Sequence, residues 1–309
     1  MRSLVTGGAG FIGAALVKAL VADGNQVRVL DDLSRGDVSA LPTGVEMYEG
    51  DIRNQQAVMY ALDRVDEVIH LAYINGTETF YKAPQRVLDV AVRGMLNVLE
   101  GCKINNVRRM MLASSSEVCR ADIDGMDEAI PLVIPDPFNP RYSYSAGKII
   151  SEMMAIHSGL FDWLTIFRPF NIYGPGMSQG HVIPDFKEQL QKKIRKYNDR
   201  RVLPFEMIGS SDETRSFCYI DDFIDGLMTI RKHGKHLGIY NVGTPEETSI
   251  GNLARTMGSI LGYDLLITDK NTLREGSIKR RKPEIGKLQA LGYQPKISLD
   301  EGLRRMLCQ

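Results

Sequence analysis

Cysteine is scarce in this chain. There are four among 309 residues, Cys102, Cys119, Cys218 and Cys308, and they lie far apart. No CxxC and no Cys/His spacing is present, which argues against a disulfide framework and a structural zinc. The thiols read as reduced, and no metal is expected. A surplus of one charge is also missing: 38 basic residues face 38 acidic ones, for a formal net charge of zero. Nucleic-acid surfaces need a basic excess, so no nucleic-acid partner is expected. No stretch reaches the roughly 20 apolar residues of a membrane span. The first residues, Met1 to Val5, show no apolar run ending in a small-residue cleavage site. A soluble, cytoplasmic chain without a membrane partner is expected. Internal repeats and low-complexity segments are lacking too.

What is present is alternation. Apolar, β-prone runs lie at Ser3–Thr6, Val27–Leu30, Val45–Tyr48, Glu67–Leu71, Met110–Ala113 and Leu164–Phe167. Helical periodicity marks Phe11–Asp23, Val87–Cys102 and Tyr144–His157. Strands that alternate with helices imply parallel βαβ units, and continuous apolar strands imply burial on both faces. The expected fold class is α/β, a Rossmann-type doubly wound parallel sheet with a smaller C-terminal substrate-binding lobe. The pattern breaks after Asn171, where Pro175, Gly176, Gly180 and Pro184 punctuate the chain, and the sheet-like style returns over 217–243. Residues 1–170 plus 217–243 are therefore assigned to the Rossmann domain, and 171–216 plus 244–309 to the lobe. The basic stretch 187–201 reads as a solvated face.

The run Thr6-Gly7-Gly8-Ala9-Gly10-Phe11-Ile12-Gly13 follows the first strand and opens a helix. Gly7 permits a tight turn, Gly10 lets the backbone approach a pyrophosphate, and Gly13 lets helix and strand pack closely. Free amides at the helix start, around Phe11 and Ile12, then face the phosphates. Asp31 and Asp32 end the second strand, roughly 20 residues on, where an acid accepts from the adenosine ribose. That charge repels a 2′-phosphate and favours NAD over NADP, with Ser34 and Arg35 just beyond. Asp51 and Ile52 suit the adenine edge, and Leu71 and Ala72 put small apolar groups beside the cofactor.

Tyr144 and Lys148 form a YxxxK at a helix start, one turn apart on one face. An ammonium near a phenol favours the phenolate, so Lys148 is expected to lower the pKa of Tyr144 toward working pH. Ser114, Ser115, Ser116 and Glu117 follow the fifth strand, at the carboxyl edge where ligands of doubly wound sheets bind.

These motifs, with Arg168-Pro169-Phe170-Asn171-Ile172-Tyr173-Gly174-Pro175-Gly176 and Thr214-Arg215-Ser216-Phe217, resemble the NAD-dependent epimerase/dehydratase family of extended short-chain dehydrogenases. The resemblance spans essentially the whole chain. It implies an enzyme that keeps NAD through turnover and takes a nucleotide diphosphosugar. Pairing into homodimers through the helices at 87–102 and 144–157 is implied as well. Carried over, Tyr144 is the acid/base, Lys148 tunes it and holds the nicotinamide ribose, and Ser115 assists. Ser114 and Phe170 join the cofactor contacts. Asn171, Arg215 and Arg281 face the substrate, the arginines as forked phosphate ligands. Ser116 is placed with them, and the loop Tyr73-Ile74-Asn75-Gly76-Thr77-Glu78 departs from the family's pattern and is expected to touch the sugar through Asn75 and Thr77.

Glu117 bears on the reaction. Ser-Glu at this place is similar to 4,6-dehydratases and UDP-glucuronate decarboxylases, and Arg141-Tyr142-Ser143-Tyr144 and Arg281-Lys282-Pro283-Glu284-Ile285 look decarboxylase-like. A partly dry site is expected to raise the pKa of Glu117 and suit it to proton transfer. The family's Val-Tyr-Gly is here Val118-Cys119-Arg120, and Ala91 stands where members carry an asparagine that supports the active-site helix. Epimerase and lyase readings both stay open at this point. Two others are a silent NAD-binding regulator and a simple sugar dehydrogenase; the intact Ser115, Tyr144 and Lys148 speak against the first, and the arginine-bearing lobe against the second.

Overall fold

The structure, a computed structural model, describes residues 1–119, 125–197, 199–270 and 279–308. Arg120, one of the departures noted above, lies outside the described residues.

The first half is a βα alternation: β1 (Arg2–Thr6), α1 (Phe11–Ala22), β2 (Gln26–Asp31), β3 (Glu46–Glu49), α2 (Gln55–Ala61), β4 (Glu67–His70), α3 (Thr77–Lys82), α4 (Pro84–Ile104), β5 (Arg109–Ala113), α5 (Ser143–His157) and β6 (Trp163–Pro169). The second half holds β7 (Ile172–Tyr173), α6 (Val182–Lys196), β8 (Val202–Met207), β9 (Thr214–Arg215), β10 (Cys218–Tyr219), α7 (Ile220–His233) and β11 (Gly238–Val242). After these come β12 (Thr248–Ser249), α8 (Ile250–Ile260), β13 (Asp264–Asp269), β14 (Arg280–Arg281), α9 (Gly286–Gln289) and α10 (Leu299–Leu307).

Seven strands form one parallel sheet in the order β11-β6-β5-β4-β1-β2-β3. The chain winds outward from β1 to β3, then returns to lay β4 on the other side of β1. That reversal creates the switch-point crevice beyond the strands' carboxyl ends. Side chains alternate between the two faces of each strand. Val5, Val29, Ile69 and Met111 enter one hydrophobic cluster, with α1 and α7. Leu4, Leu30, Val68 and Met110 enter the other, with α2 and α4. The first cluster continues into Phe186, Leu253 and Leu303 of the second half. The boundary drawn at 170/171 therefore crosses a continuous core.

Each strand inferred from the sequence has a counterpart, displaced by a residue or two where turn residues join the ladder. The edge strand of this sheet, β11, and helix α2 are additions. The basic stretch departs further. Helix α6 starts at Val182 and buries Ile183, Phe186 and Leu190 on one face, so only its other side, with Lys192, Arg195 and Lys196, is solvated. Lys187 is not a free charge, since its Nζ donates to the Met306 carbonyl at 2.6 Å. No described helix is long and apolar enough to cross a membrane. The four cysteines are free, and only Cys308 is exposed.

One buried ion pair joins helix α5 to the sheet. Arg168 of β6 donates to both carboxylate oxygens of Glu152 on α5, at 3.0 and 2.8 Å, and both side chains are 2% exposed. Glu152→Ala leaves the guanidinium buried without its counter-charge. We expect it to cost about 3–5 kcal/mol of stability, read from urea unfolding.

Candidate active site

A cavity of about 640 Å³ opens over the carboxyl ends of the sheet strands. It falls in the size range of cofactor and small-molecule sites. Its walls come from the glycine loop, the ends of β2, β4, β5 and β6, the start of α5, and the second half of the chain.

The cofactor end is built on close backbone approach. Gly7 has φ +70°, and a Cβ there would lie 2.8 Å from the Ala72 backbone. A Cβ on Gly13 would lie 2.1 Å from the Gly7 carbonyl oxygen, so α1 can sit on the turn only without a side chain. Gly10 caps α1 without a side-chain hydrogen bond, and no acid occupies the first turn. The helix start is thus left open to an anion. Asp31 accepts from the Ala9 amide at 3.0 Å and the Leu33 amide at 2.9 Å, one on each oxygen. Burial raises its pKa against those two amides. A carboxylate has about four acceptor sites, so capacity remains for ribose hydroxyls. Asp32 accepts from the Ser34 amide and hydroxyl at 3.0 and 2.6 Å. Asp51 lies on the wall but is clamped by Arg53 at 2.6 Å, which holds its carboxyl below the usual range. Ile52, Leu71, Ala72 and Ser114 line the same end, and the Ser114 hydroxyl is buried without a partner among the described atoms. Phe170 is a correction: it is fully buried among Val118, Cys119 and Met126, behind the wall rather than on it. Pro169 and Asn171, on either side of it, line the cavity instead. Arg35 crosses the mouth, donating to the Asn75 carbonyl and, at 2.5 Å, to the Ser178 hydroxyl.

Tyr144 and Lys148 project from the first turns of α5. The Ser115 hydroxyl stands close enough to the Tyr144 phenol to lower its pKa. Ser115 also caps the turn at Ser116–Val118 by accepting from the Glu117 amide at 3.1 Å. Burial pushes the Tyr144 phenol up to about 12, with the Glu117 charge adding and Ser115 and Arg281 opposing. Lys148 does not lower it as expected. Its Nζ donates to the Ala113 carbonyl at 2.7 Å and lies 3.9 Å from the centroid of the Tyr73 ring. Burial pushes the Lys148 ammonium down to about 7, with Glu152 opposing.

Glu117 reverses a second expectation. Burial works to raise its pKa, but Arg281 at 3.2 Å and Arg141 at 3.5 Å outweigh burial and hold it below the ordinary value. Glu117 is an ionised carboxylate between two guanidiniums. Arg215 sits nearby, paired with Glu213 at 3.0 Å. Burial and the charges of Arg281 and Arg141 push Arg215 down to about 10. Arg281 is buried, and its Nε has no partner among the described atoms. Asn171, at φ +43°, donates to the Ser216 carbonyl at 2.9 Å and lines the cavity. Asn75, Thr77 and Ser116 are also on the wall.

Among the polar wall residues, Arg86 and His181 were not singled out from the sequence, and Tyr73 and Arg141 were given no individual role. Arg141 had a signal, three residues before Tyr144 in the RYSY run. Tyr73 was visible only as the first residue of the loop 73–78, because its place against Tyr144 and Lys148 is made by tertiary contact alone.

The geometry is that of a dinucleotide oxidoreductase site joined to an arginine-rich pocket. The chain belongs to the NAD dependent epimerase/dehydratase family, which it matches over residues 3–243. It is 32% identical to UDP-glucuronic acid decarboxylase 1 of Arabidopsis thaliana, over 99% of this chain and 69% of that protein. Its fold overlays UDP-glucose 4-epimerase from Thermotoga maritima with a TM-score of 0.86 at 27% identity, covering 99% and 97% of the two chains. It overlays dTDP-glucose 4,6-dehydratase from Streptomyces venezuelae, solved with NAD, with a TM-score of 0.85 at 28% identity, covering 100% and 96%. NAD is the cofactor, and the open helix start, the close-approach glycines and the Asp31 carboxylate fit it.

Two outcomes follow. Gly13→Ala drives a methyl into the Gly7 carbonyl and should yield protein purified without NAD, seen in the 260/280 nm absorbance ratio. Lys148→Met should raise Tm at pH 7. The folded lysine titrates at about 7 and the unfolded one at 10.5, so burying the charged form costs stability, and stability rises with pH wherever the unfolded chain holds the extra proton. That cost is full below pH 7 and fades as pH rises to 10.5, so the gain in Tm should shrink over the same window.

Proposed function

We propose that this chain decarboxylates a nucleoside-diphosphate uronic acid, with NAD as a retained oxidant. The observation that carries the reading is the cluster of Arg141 and Arg281 on Glu117, with Arg215 alongside and the buried Nε of Arg281 unpartnered among the described atoms. Three guanidiniums against Glu117 and Glu213 leave one net positive charge. A diphosphate alone needs forked donors. A uronate adds a third anionic group, and an unpartnered buried N–H is a waiting donor for it. The similarity to a UDP-glucuronic acid decarboxylase supports the same choice.

When bound, NAD supplies the acceptor for the electron pair and hydrogen taken from a sugar carbon. Tyr144 takes the proton from the hydroxyl on that carbon, with Ser115 holding the same oxygen. Oxidation beta to the carboxylate makes a β-keto acid. Its carbon–carbon bond to the carboxylate breaks, carbon dioxide leaves, and the electron pair moves to the carbonyl oxygen. Tyr144, now protonated, returns its proton there. A solvent proton added to the ring carbon that carried the carboxylate, with the enol proton passing back to Tyr144, re-forms the ketone; the carbonyl carbon then regains the hydrogen it gave up, restoring the cofactor, while Tyr144 protonates its oxygen. Glu117 stays ionised throughout, so it serves by orienting Arg141 and Arg281 rather than by giving a proton. The reading includes a homodimer: Leu88 and Leu96 on α4, and Ile150 and Met153 on α5, are exposed apolar side chains on neighbouring helices, suited to an isologous contact.

Mass spectrometry of the NAD-loaded enzyme with UDP-glucuronate and a panel of UDP-, GDP-, dTDP- and CDP-sugars tests the proposal. A product lighter by carbon dioxide is expected. An unchanged mass at a new retention time identifies an epimerase, and loss of water a dehydratase. Glu117→Gln should retain NAD and lose about 100-fold in turnover, because the two arginines lose the group that aligns them.

A further inference from the structure

Tyr73 belongs to no motif, yet it touches both members of the Tyr144–Lys148 pair. It leaves the end of β4 and drives its ring between α4 and α5. Its hydroxyl donates to the Tyr144 backbone carbonyl at 3.2 Å. Its ring meets the Tyr144 ring edge-on, with centroids 5.2 Å apart and planes at 89°. On the other side Phe80 stacks on Tyr144, at 4.7 Å and 27°. The acid/base ring is thus held between two aromatic side chains from one segment. The fit is close: a Cβ on Gly147 would lie 2.1 Å from the Tyr73 hydroxyl oxygen and 2.6 Å from the Ala91 Cβ. Gly147 and Ala91 are small because the Tyr73 hydroxyl fills the junction between their helices.

The ring face does a second thing. Lys148 Nζ lies 3.9 Å from its centroid. The other groups facing this ammonium are few. Glu152 on α5 favours its charged form and is already shared with Arg168. His70 on β4 is neutral, pushed down to about 3 by burial and then by the Lys148 charge, with Nδ1 on the Thr6 hydroxyl at 2.7 Å. The Ala113 carbonyl on β5 accepts one N–H. In so dry a site a π face is a substantial share of what keeps a cation charged. Tyr73 itself stays protonated, since burial raises its phenol well above the ordinary value, so it donates and does not compete for the proton.

We infer that Tyr73 is a positioning residue: its ring face holds the Lys148 ammonium while its hydroxyl and edge fix Tyr144, so one side chain sets the geometry and the charge of the pair together. This rests on the reading of Tyr144 and Lys148 as the acid/base pair, but its first test needs no turnover. Lysine selectively labelled with ¹³C and ¹⁵N, in the NAD-loaded protein, gives the titration of Lys148 by NMR, with Lys148→Met assigning the signal. Tyr73→Leu and Tyr73→Met keep the site apolar and remove the ring; Tyr73→Phe keeps the ring and removes the hydroxyl. Two non-aromatic variants are used so that one can be read if the other does not fold, as checked by thermal melting. The Lys148 midpoint should fall by about half to one and a half pH units in Leu or Met, and hold in Phe. A midpoint that stays or rises in Leu and Met overturns the inference, as does an equal fall in Phe. Once a substrate reacts, the ring-free variants should lose kcat with little change in KM, and their pH profile should move with the NMR midpoint. Failure of every sugar nucleotide sinks the proposed function and leaves the NMR result to decide the role of Tyr73.

Discussion

The buried pair between Arg168 and Glu152 is the contact on which the catalytic arrangement rests. Two ions are taken out of water there, a cost that is repaid only by good geometry and further hydrogen bonds. Arg168 finds both. It binds both carboxylate oxygens of Glu152, and reaches the Glu128 carbonyl at 3.2 Å and the Cys119 sulfur at 3.7 Å. One guanidinium thereby joins β6, helix α5 and the segment that follows Glu117. Tyr144 and Lys148 stand on α5, Ser115 and Glu117 lead into that segment, and Asn171 continues from β6. The relative placement of the machinery follows from a single desolvated cation.

Around this anchor the site separates its charges. Lys148 and Tyr144 are buried with few counter-charges, so burial pushes one down and the other up, and both tend toward neutrality. Glu117 is also shielded, yet two arginines keep it ionised. The site therefore holds a nearly neutral proton-handling end beside a strongly charged anion-binding end. The proposed reaction, proton transfer at a sugar hydroxyl of a multiply anionic substrate, needs those two environments within one cavity. Arg35, bonded across the mouth to Asn75 and Ser178, ties the cofactor loop to the loops over the substrate end.

Much was legible from local pattern. The glycine loop, Asp31, Ser115, Tyr144 and Lys148 are encoded by fixed offsets from strand ends, and such offsets survive into the fold because parallel strands all finish at one edge. Phe170 failed the same logic: it sits in a strong motif, but its side chain packs into the cluster of Val118, Cys119 and Met126 behind the cavity wall. Protonation states were misread for Tyr144 and Glu117. A pKa depends on what arrives from distant sequence, and Arg281 reaches Glu117 from 164 residues away.

The sequence by itself determined the class of fold, the cofactor loop and the spacing that brings Ser115, Tyr144 and Lys148 to one cavity, because these depend on backbone freedom at glycine and on spacing within single βα units. Only the tertiary structure decided which charges meet. It set Arg141 and Arg281 on Glu117, laid Lys148 on the face of Tyr73 rather than beside the Tyr144 phenol, and filled the gap at Ala91 and Gly147 with the Tyr73 hydroxyl. Electrostatic and packing contacts act through space between elements remote in the chain, and no local spacing records them.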